Sequence, residues 1–445
     1  MKKRLIILFL LCNGFSGYTF LQAEEGIVQT IQESQPKQPI DTGDTAWLLI
    51  STALVMLMTP GLAMFYGGMV RKKNVLGTMM HSFIALGIIS IQWVLFGYSL
   101  SFGPDMGHII GSLKWSFLNG VGLEPEPAYA ATVPHQAFML FQMMFAVITP
   151  ALISGAFAER FKFSSYILFL ILWSTFVYDP IAHWVWGNGG WIRNLGALDF
   201  AGGLVVHISS GTAALAAALL TGRRRGYGSE PMPPHNLTMT LIGAALLWFG
   251  WFGFNGGSAL TSGALATSAF VVTHIATAGA ATSWTITEWI FRGKPTLLGF
   301  ASGAVAGLVA ITPASGFVSP VSALVIGLVA GIICFTAVNL KSRFKLDDSL
   351  DVVGVHGVGG TWGALATGIF ASQLINPAGA NGLLYGNYVL LFKQSLSVFS
   401  AVIYSFSITF GILKLLDLTL GLRVHEEDEV NGLDNSQHGE SGYAF

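Results

Sequence analysis

The chain reads as an all-α membrane protein with eleven transmembrane helices, and three observations predict that class. Of its 445 residues, 53% are hydrophobic and 10% charged, where a soluble domain carries about 25% charge. Eleven stretches approach the roughly 20 mostly apolar residues that a spanning helix needs. Lysine and arginine gather in every second loop between them. This composition excludes a disordered chain and argues against a soluble enzyme. A formal net charge of -1 gives no basic bias toward nucleic acid.

The first element is a leader. Lys2, Lys3 and Arg4 precede the short apolar run Leu5 to Leu11, too short to span a bilayer. Residues 1–23 read as a signal peptide cut after Ala23, and 24–44 as a periplasmic segment. With the leader removed, Cys334 is the remaining cysteine, which leaves no intrachain disulfide and no cysteine metal cluster.

The membrane domain is expected over 45–420. Its spans are placed at 45–68, 75–100, 134–158, 165–186, 200–221, 236–257, 263–289, 296–312, 320–340, 350–371 and 391–420. The chain holds 54 glycines, many inside spans with Ala and Ser, as at Gly299, Ser302, Gly303 and Gly307. In lipid such small residues allow close helix packing.

Orientation follows from the basic loops. Arg71, Lys72 and Lys73 follow span one. Arg160 and Lys162 follow span three. Arg223, Arg224 and Arg225 follow span five, Arg292 and Lys294 span seven, and Lys341, Arg343 and Lys345 span nine. The opposite loops hold Lys114, Arg193 and little else. The N-terminus is therefore expected outside and the tail inside.

The chain also repeats itself weakly. Gly61-Leu-Ala-Met-Phe65-Tyr-Gly67-Gly68 ends span one, and Gly250-Trp-Phe-Gly-Phe254-Asn-Gly256-Gly257 ends span six. His207 with Gly211-Thr212 in span five matches His356 with Gly360-Thr361 in span ten. Five spans per copy is an odd number, so the copies (45–221 and 236–371) enter from opposite sides. This is a 5+5 inverted-topology repeat, with a site expected near the midplane between the halves. The last helix, 391–420, is peripheral.

Ionisable residues inside spans usually mark function. The repeat brings His207 and His356 together near its axis. Two linked imidazoles can take a proton at one end and release one at the other. No third ligand stands beside both, so a metal is not expected. Asp199 and Asp351 precede the histidines by eight and five residues; each reads either as a group favouring a nearby cation or as a helix cap. Phe141 and Phe145 share a helix face. Trp186 closes span four, Phe254 closes span six and Ser258 follows it. Aromatic faces attract a partly desolvated cation, although interfacial or core packing accounts for each residue taken singly. Asp179 and His183 read as interface residues, and His81 and His274 as structural.

These residues carry a resemblance. Asp199-Phe-Ala-Gly-Gly-Leu-Val-Val-His207, Gly250-Trp-Phe-Gly-Phe254-Asn-Gly-Gly-Ser258 and Asp351-Val-Val-Gly-Val-His356-Gly resemble signatures of the ammonium transporter family. So does Thr149-Pro150-Ala151-Leu152 with Gly155-Ala-Phe-Ala-Glu159-Arg160. The likeness runs from about 40 to 445. It implies a homotrimer in the bacterial inner membrane with one pore per subunit, and neither enzyme activity nor a cofactor. It also implies twin pore histidines His207 and His356, a stacked gate of Phe145 and Phe254, and an outer ammonium site of Trp186, Ser258 and Phe145. Phe141 lies near that site, Asp199 lies beneath it and Asp351 is a supporting acid. The tail 421–445 is acidic and alone reads as disordered. Yet Gly421-Leu-Arg423, Gly432-Leu-Asp434 and His438-Gly-Glu440 resemble the family's ordered tail, with a cytoplasmic PII signalling protein as a partner. Alternatives of the same fold are a gas channel for ammonia or carbon dioxide and an ammonium sensor.

Overall fold

In the computed structural model, residues 40–443 are described; the leader and part of the segment after it lie outside them. Eleven long helical runs follow one another. They are α1 (Thr42–Met69), α2 (Lys72–Phe102), α3 (His135–Phe157), α4 (Phe163–Leu195), α5 (Gly203–Thr221), α6 (Leu237–Gly257), α7 (Ala264–Arg292), α8 (Leu297–Ile311), α9 (Pro320–Leu340), α10 and α11 (Tyr388–Thr419). α10 opens with a π-turn, Val353–Val358, and continues as Gly359–Phe370. Two short helices, α12 (Glu426–Asn431) and α13 (Leu433–His438), end the described chain.

Among the described residues, nine helices are long and apolar enough to cross a membrane. The other two expected spans, α8 and α10, fall short for different reasons. The 15 residues of α8 reach only about 22 Å at 1.5 Å per residue, and it is extended by turns to the buried Val318. α10 is diluted by glycine and by His356. Both are well buried among other helices, where lipid need not be matched. Large apolar side chains such as Ile91, Phe249 and Phe399 are exposed on the outside of the bundle, as a lipid-facing wall requires.

Glycines set the closest helix approaches. α1 lies along α6, where a Cβ on Gly243 would come 2.2 Å from the Phe65 nitrogen, and one on Gly253 2.6 Å from the Leu54 Cβ. α5 meets α10 in the same way: a Cβ on Gly211 would come 2.2 Å from the Gly357 nitrogen. Small residues here let backbones touch, as in other membrane bundles.

The basic loops meet at one end of the bundle. Glu159 takes Arg71 and Arg224 at 2.8 and 3.3 Å, and Asp347 takes Arg224 at 2.8 Å. The buried Arg160 donates to the carbonyls of Asp347, Ala156 and Gly222. The tail docks on these loops. Lys162 N–H donates to Leu422 O and Val424 N–H to Arg160 O. The Asp434 carboxylate accepts from Gly77 N–H at 2.8 Å, and Leu433 N–H donates to Asn74 Oδ1 at 2.8 Å. Acidic composition alone suggests a solvated tail, but its apolar Leu422, Val424 and Leu433 are buried.

At the opposite end, a small hairpin of β1 (Asp105–Met106) and β2 (Ile110–Gly111) leans on the end of α4 through Trp184 Nε1, which donates to Ile109 O at 2.7 Å.

Candidate functional site

The centre of the molecule is built from two matching helix starts. α5 begins with the π-turn Gly203–Ile208 and α10 with Val353–Val358, and each turn carries one histidine. Wide turns of this kind often sit at functional sites. Each start is capped by a buried carboxylate. Asp199 accepts from the backbone N–H groups of Gly202, Gly203, Leu204 and Val205, at 2.8, 2.6, 2.7 and 3.4 Å. Asp348 accepts from Val352 and Val353 at 3.1 and 2.8 Å. Free N–H groups at a helix start need such a partner.

The two caps stand eight residues before their histidines, 207 − 199 and 356 − 348. Asp348 is thus the counterpart of Asp199, a match that the sequence reading assigned to Asp351. Asp351 does something else. Its backbone holds the left-handed φ of 64°, its carboxylate pairs with Lys341, and it lines a small cavity with Ser302 and His356.

His207 and His356 face each other with Nδ1 atoms 3.2 Å apart and ring centroids 5.3 Å apart. Both are buried. Their cavity, about 10 Å³, is otherwise lined mostly by apolar groups such as Leu62, Ile148, Leu247 and Val305. His207 Nε2 has no hydrogen-bond partner among the described residues. In an Nδ1–Nδ1 contact one ring donates and the other accepts. One Nε2 is then bare and the other protonated, so the pair has an acceptor at one end and a donor at the other.

Outward of the histidines, Phe254 packs on His207 at 6.1 Å between centroids, and Phe145 lies on Phe254 at 4.2 Å. Both phenylalanines are 1% exposed, so they close the path. Beyond them opens a chamber of about 200 Å³ bounded by Phe145, Trp186 and Ser258. Trp186 stands perpendicular to Phe145 at 5.9 Å, and its Nε1 donates to the Asp199 carbonyl at 3.0 Å. Ser258 Oγ donates to Phe254 O at 2.7 Å, which leaves its lone pairs for a donor in the chamber. Phe141 packs behind Phe145 at 4.9 Å, fully buried and outside the chamber wall. Asp199 also stays outside it, its oxygens turned to backbone. The chamber therefore combines aromatic faces with oxygen acceptors, suited to a small hydrogen-bonding cation.

Sequence reasoning missed several neighbours. Trp251 stacks on His207 at 5.4 Å and is fixed by donation to Thr312 Oγ1 at 2.8 Å; its place three residues before Phe254 was the available signal. Gln142 lines the chamber, and its buried Oε1 has no hydrogen-bond partner among the described residues. Arg193 holds the Trp186 carbonyl at 2.7 Å. Asp179 and His183, read as interface residues, are both fully buried. No group of three or more metal-ligating side chains occurs among the described residues.

Comparison with known proteins places the chain in a family. Residues 46–443 match the model of the Ammonium Transporter Family. The ammonium transporter of Bacillus subtilis is 55% identical over 403 residues, covering 90% of this chain and 98% of that protein. Ammonium transporter Amt1 of Archaeoglobus fulgidus is 52% identical, covering 90% and 99%. The crystal structure of Saccharomyces cerevisiae Mep2 superposes with a TM-score of 0.82 at 36% identity, covering 87% and 88%. A structure named Sensor Amt Protein superposes at 0.82 with 31% identity, covering 89% and 98%. By sequence and by fold, the chain belongs to the ammonium transporter family.

Proposed function

We propose that this protein takes up ammonium across the bacterial inner membrane, capturing the cation outside and passing it as ammonia and a separate proton. The observation that carries this reading is the order of parts along one line: the chamber of Trp186 and Ser258, the Phe145–Phe254 stack, then the His207–His356 pair. A bare cation entering the dry segment loses hydration worth several kcal/mol even after relaxation. Ammonium avoids the loss by leaving its proton behind. Potassium has no proton to leave and is rejected there.

The histidine pair supplies the second route. A proton reaching the bare Nε2 of one ring moves the Nδ1 proton to the other ring, which releases its own Nε2 proton inward. The tautomers are then inverted and must reset before the next cycle. Net positive charge is carried.

The supporting architecture is proposed as eleven crossings, with the N-terminus outside and the tail inside. α8 and α10 count as crossings because the loops flanking them extend the alternation of basic ends. The halves 45–221 and 236–371 form an inverted repeat, which the matching caps, π-turns and histidines of α5 and α10 favour. Residues 1–23 form a signal peptide, 24–44 a periplasmic segment, and 421–445 a cytoplasmic tail. We take the unit to be a homotrimer whose docked tail presents a surface to a PII signalling protein. Asp199 and Asp348 act by positioning the two histidine-bearing turns, and Asp351 serves the inner mouth.

The test is ammonium-evoked current in liposomes on a supported membrane, for wild type and the double variant His207→Ala, His356→Ala. Wild-type current, with the variant losing current or selectivity over potassium, is expected. Absence of current in folded wild-type protein would overturn the reading in favour of a gas channel or a sensor.

A further inference from the structure

Trp186 ends the main helical run of α4 at the chamber, and 187–190 interrupt α4 before its last turn. One turn earlier on α4 stands His183, with no exposed surface. Its Nδ1 is 3.0 Å from the Ser101 carbonyl at the end of α2, and its Nε2 is 2.9 Å from Asp105 Oδ1 on β1. A carbonyl oxygen only accepts, so Nδ1 carries hydrogen. In a neutral ring Nε2 is then a bare lone pair. Set 2.9 Å from an ionised carboxylate oxygen, that lone pair would be repelled. The contact therefore requires one further proton, on the ring or on Asp105.

The surroundings leave the ring little alternative. A Cβ on Gly187 would come 2.4 Å from His183 Nδ1, and one on Gly190 2.0 Å from its carbonyl oxygen. Asp105 is itself gripped by His108. Its Oδ1 accepts the His108 N–H at 2.9 Å, and its Oδ2 lies 3.3 Å from His108 Nδ1. That same Nδ1 reaches Gly189 O at 2.6 Å, in the loop just after Trp186. Two further charged groups are near: Asp179, which accepts from Ser101 Oγ at 3.2 Å, and Arg193 on the Trp186 carbonyl. Neither touches the imidazole.

We propose that His183 is a positioning residue for Trp186, acting through a proton shared with Asp105 that ties the end of α4 to the outer hairpin. The tie holds only while that proton is present, and without it the chamber wall that captures the cation loosens. The consequence rests on the transport reading above; the shared proton itself does not.

Two measurements separate them. The first is the half-saturating ammonium concentration against outside pH, expressed as the ion rather than as total ammonia. It is taken for wild type, Asp105→Asn and His183→Leu. In the asparagine variant an amide N–H can donate to the neutral ring, so the tie needs no shared proton. Wild type is expected to lose about tenfold in apparent affinity on alkalinisation, the scale of one lost charge-assisted bond. Asp105→Asn stays flat, and His183→Leu is weak at every pH with its maximal current kept. Parallel profiles for wild type and Asp105→Asn would overturn the proposal. The second is nitrogen NMR of histidine-labelled protein, with His183→Leu giving the assignment. Finding Nε2 of His183 bare beside an ionised Asp105 at neutral pH would overturn it even in protein that carries no current. Absence of current alone would remove only the transport reading.

Discussion

The two carboxylate caps invite a graded test. Replacing Asp199 with asparagine keeps its size but turns one oxygen into an NH2 group. If the remaining oxygen serves Gly202 and Gly203, the new donor faces the Leu204 N–H, which the carboxylate held at 2.7 Å. One bond to a charged acceptor is lost, about 1.5–3 kcal/mol, and one buried donor is left unpaired, about 1–3 kcal/mol. The sum is roughly 2.5–6 kcal/mol. Asp348 holds two N–H groups rather than four. Asp348→Asn can rotate to keep the bond from the buried Val352 N–H and leave the N–H of the half-buried Val353 to water, so its cost is a single bond, roughly half as large. The assay is the midpoint of heat inactivation of purified protein, read by fluorescence-detected gel filtration. The expected order is wild type, then Asp348→Asn, then Asp199→Asn. An Asp199→Asn protein as stable as wild type, or more stable than Asp348→Asn, would refute the capping argument.

Two further outcomes follow from geometry and charge. Gly211→Ala places a Cβ 2.2 Å from the Gly357 nitrogen, whereas a Cβ on Gly357 meets nothing nearer than 3.6 Å; the first variant is expected to fold poorly and lose current, and Gly357→Ala to be tolerated, both read from yield and current. Burial raises the carboxyls of Glu159 and Asp347, but hydrogen bonds and charge from Arg71 and Arg224 on the first, and from Arg224 and Arg160 on the second, outweigh it and hold both below the ordinary range. Such groups stabilise the docked basic loops above the ordinary carboxylate value of about 4 and cease to do so as pH falls through their lowered values in the folded protein. Pepsin cleavage of loops and tail, normalised to a denatured control, should accelerate only in that acid window; acceleration already near pH 6 would refute it.

Much of the candidate site was legible because its chemistry is sparse. In a chain of apolar helices, two histidines at matched positions stand out, and the aromatic groups singled out on α3, α4 and α6, Phe145, Trp186 and Phe254, stand together in the structure. The D-x7-H spacing before each histidine was also there to be read. Asp351 obscured it, being nearer to His356 and set in a more familiar motif. The π-turns were not legible, since one extra residue per turn leaves apolar periodicity nearly unchanged over six residues. The roles of Trp251 and Arg193 depend on three-dimensional packing that no linear spacing encodes. α8 and α10 are shorter or less apolar than the other helices because they lie buried among them, a setting that hydropathy cannot tell from lipid. Hydropathy also placed His183 at an interface, as nothing local announced the hairpin that covers it.

The glycine contacts described for α1 with α6 and α5 with α10 have a bearing on how the chain can be divided. Through these glycines each helix in those pairs is fitted against its opposite number in the other half of the chain. A polypeptide ending within 222–236 would therefore carry bare glycine grooves where its complement belongs. Two such fragments made together would have matching seams, while either made alone would offer its grooves to whatever small-residue helix came first. Synthesis of this chain thus passes through a stage in which five finished helices wait for their other half.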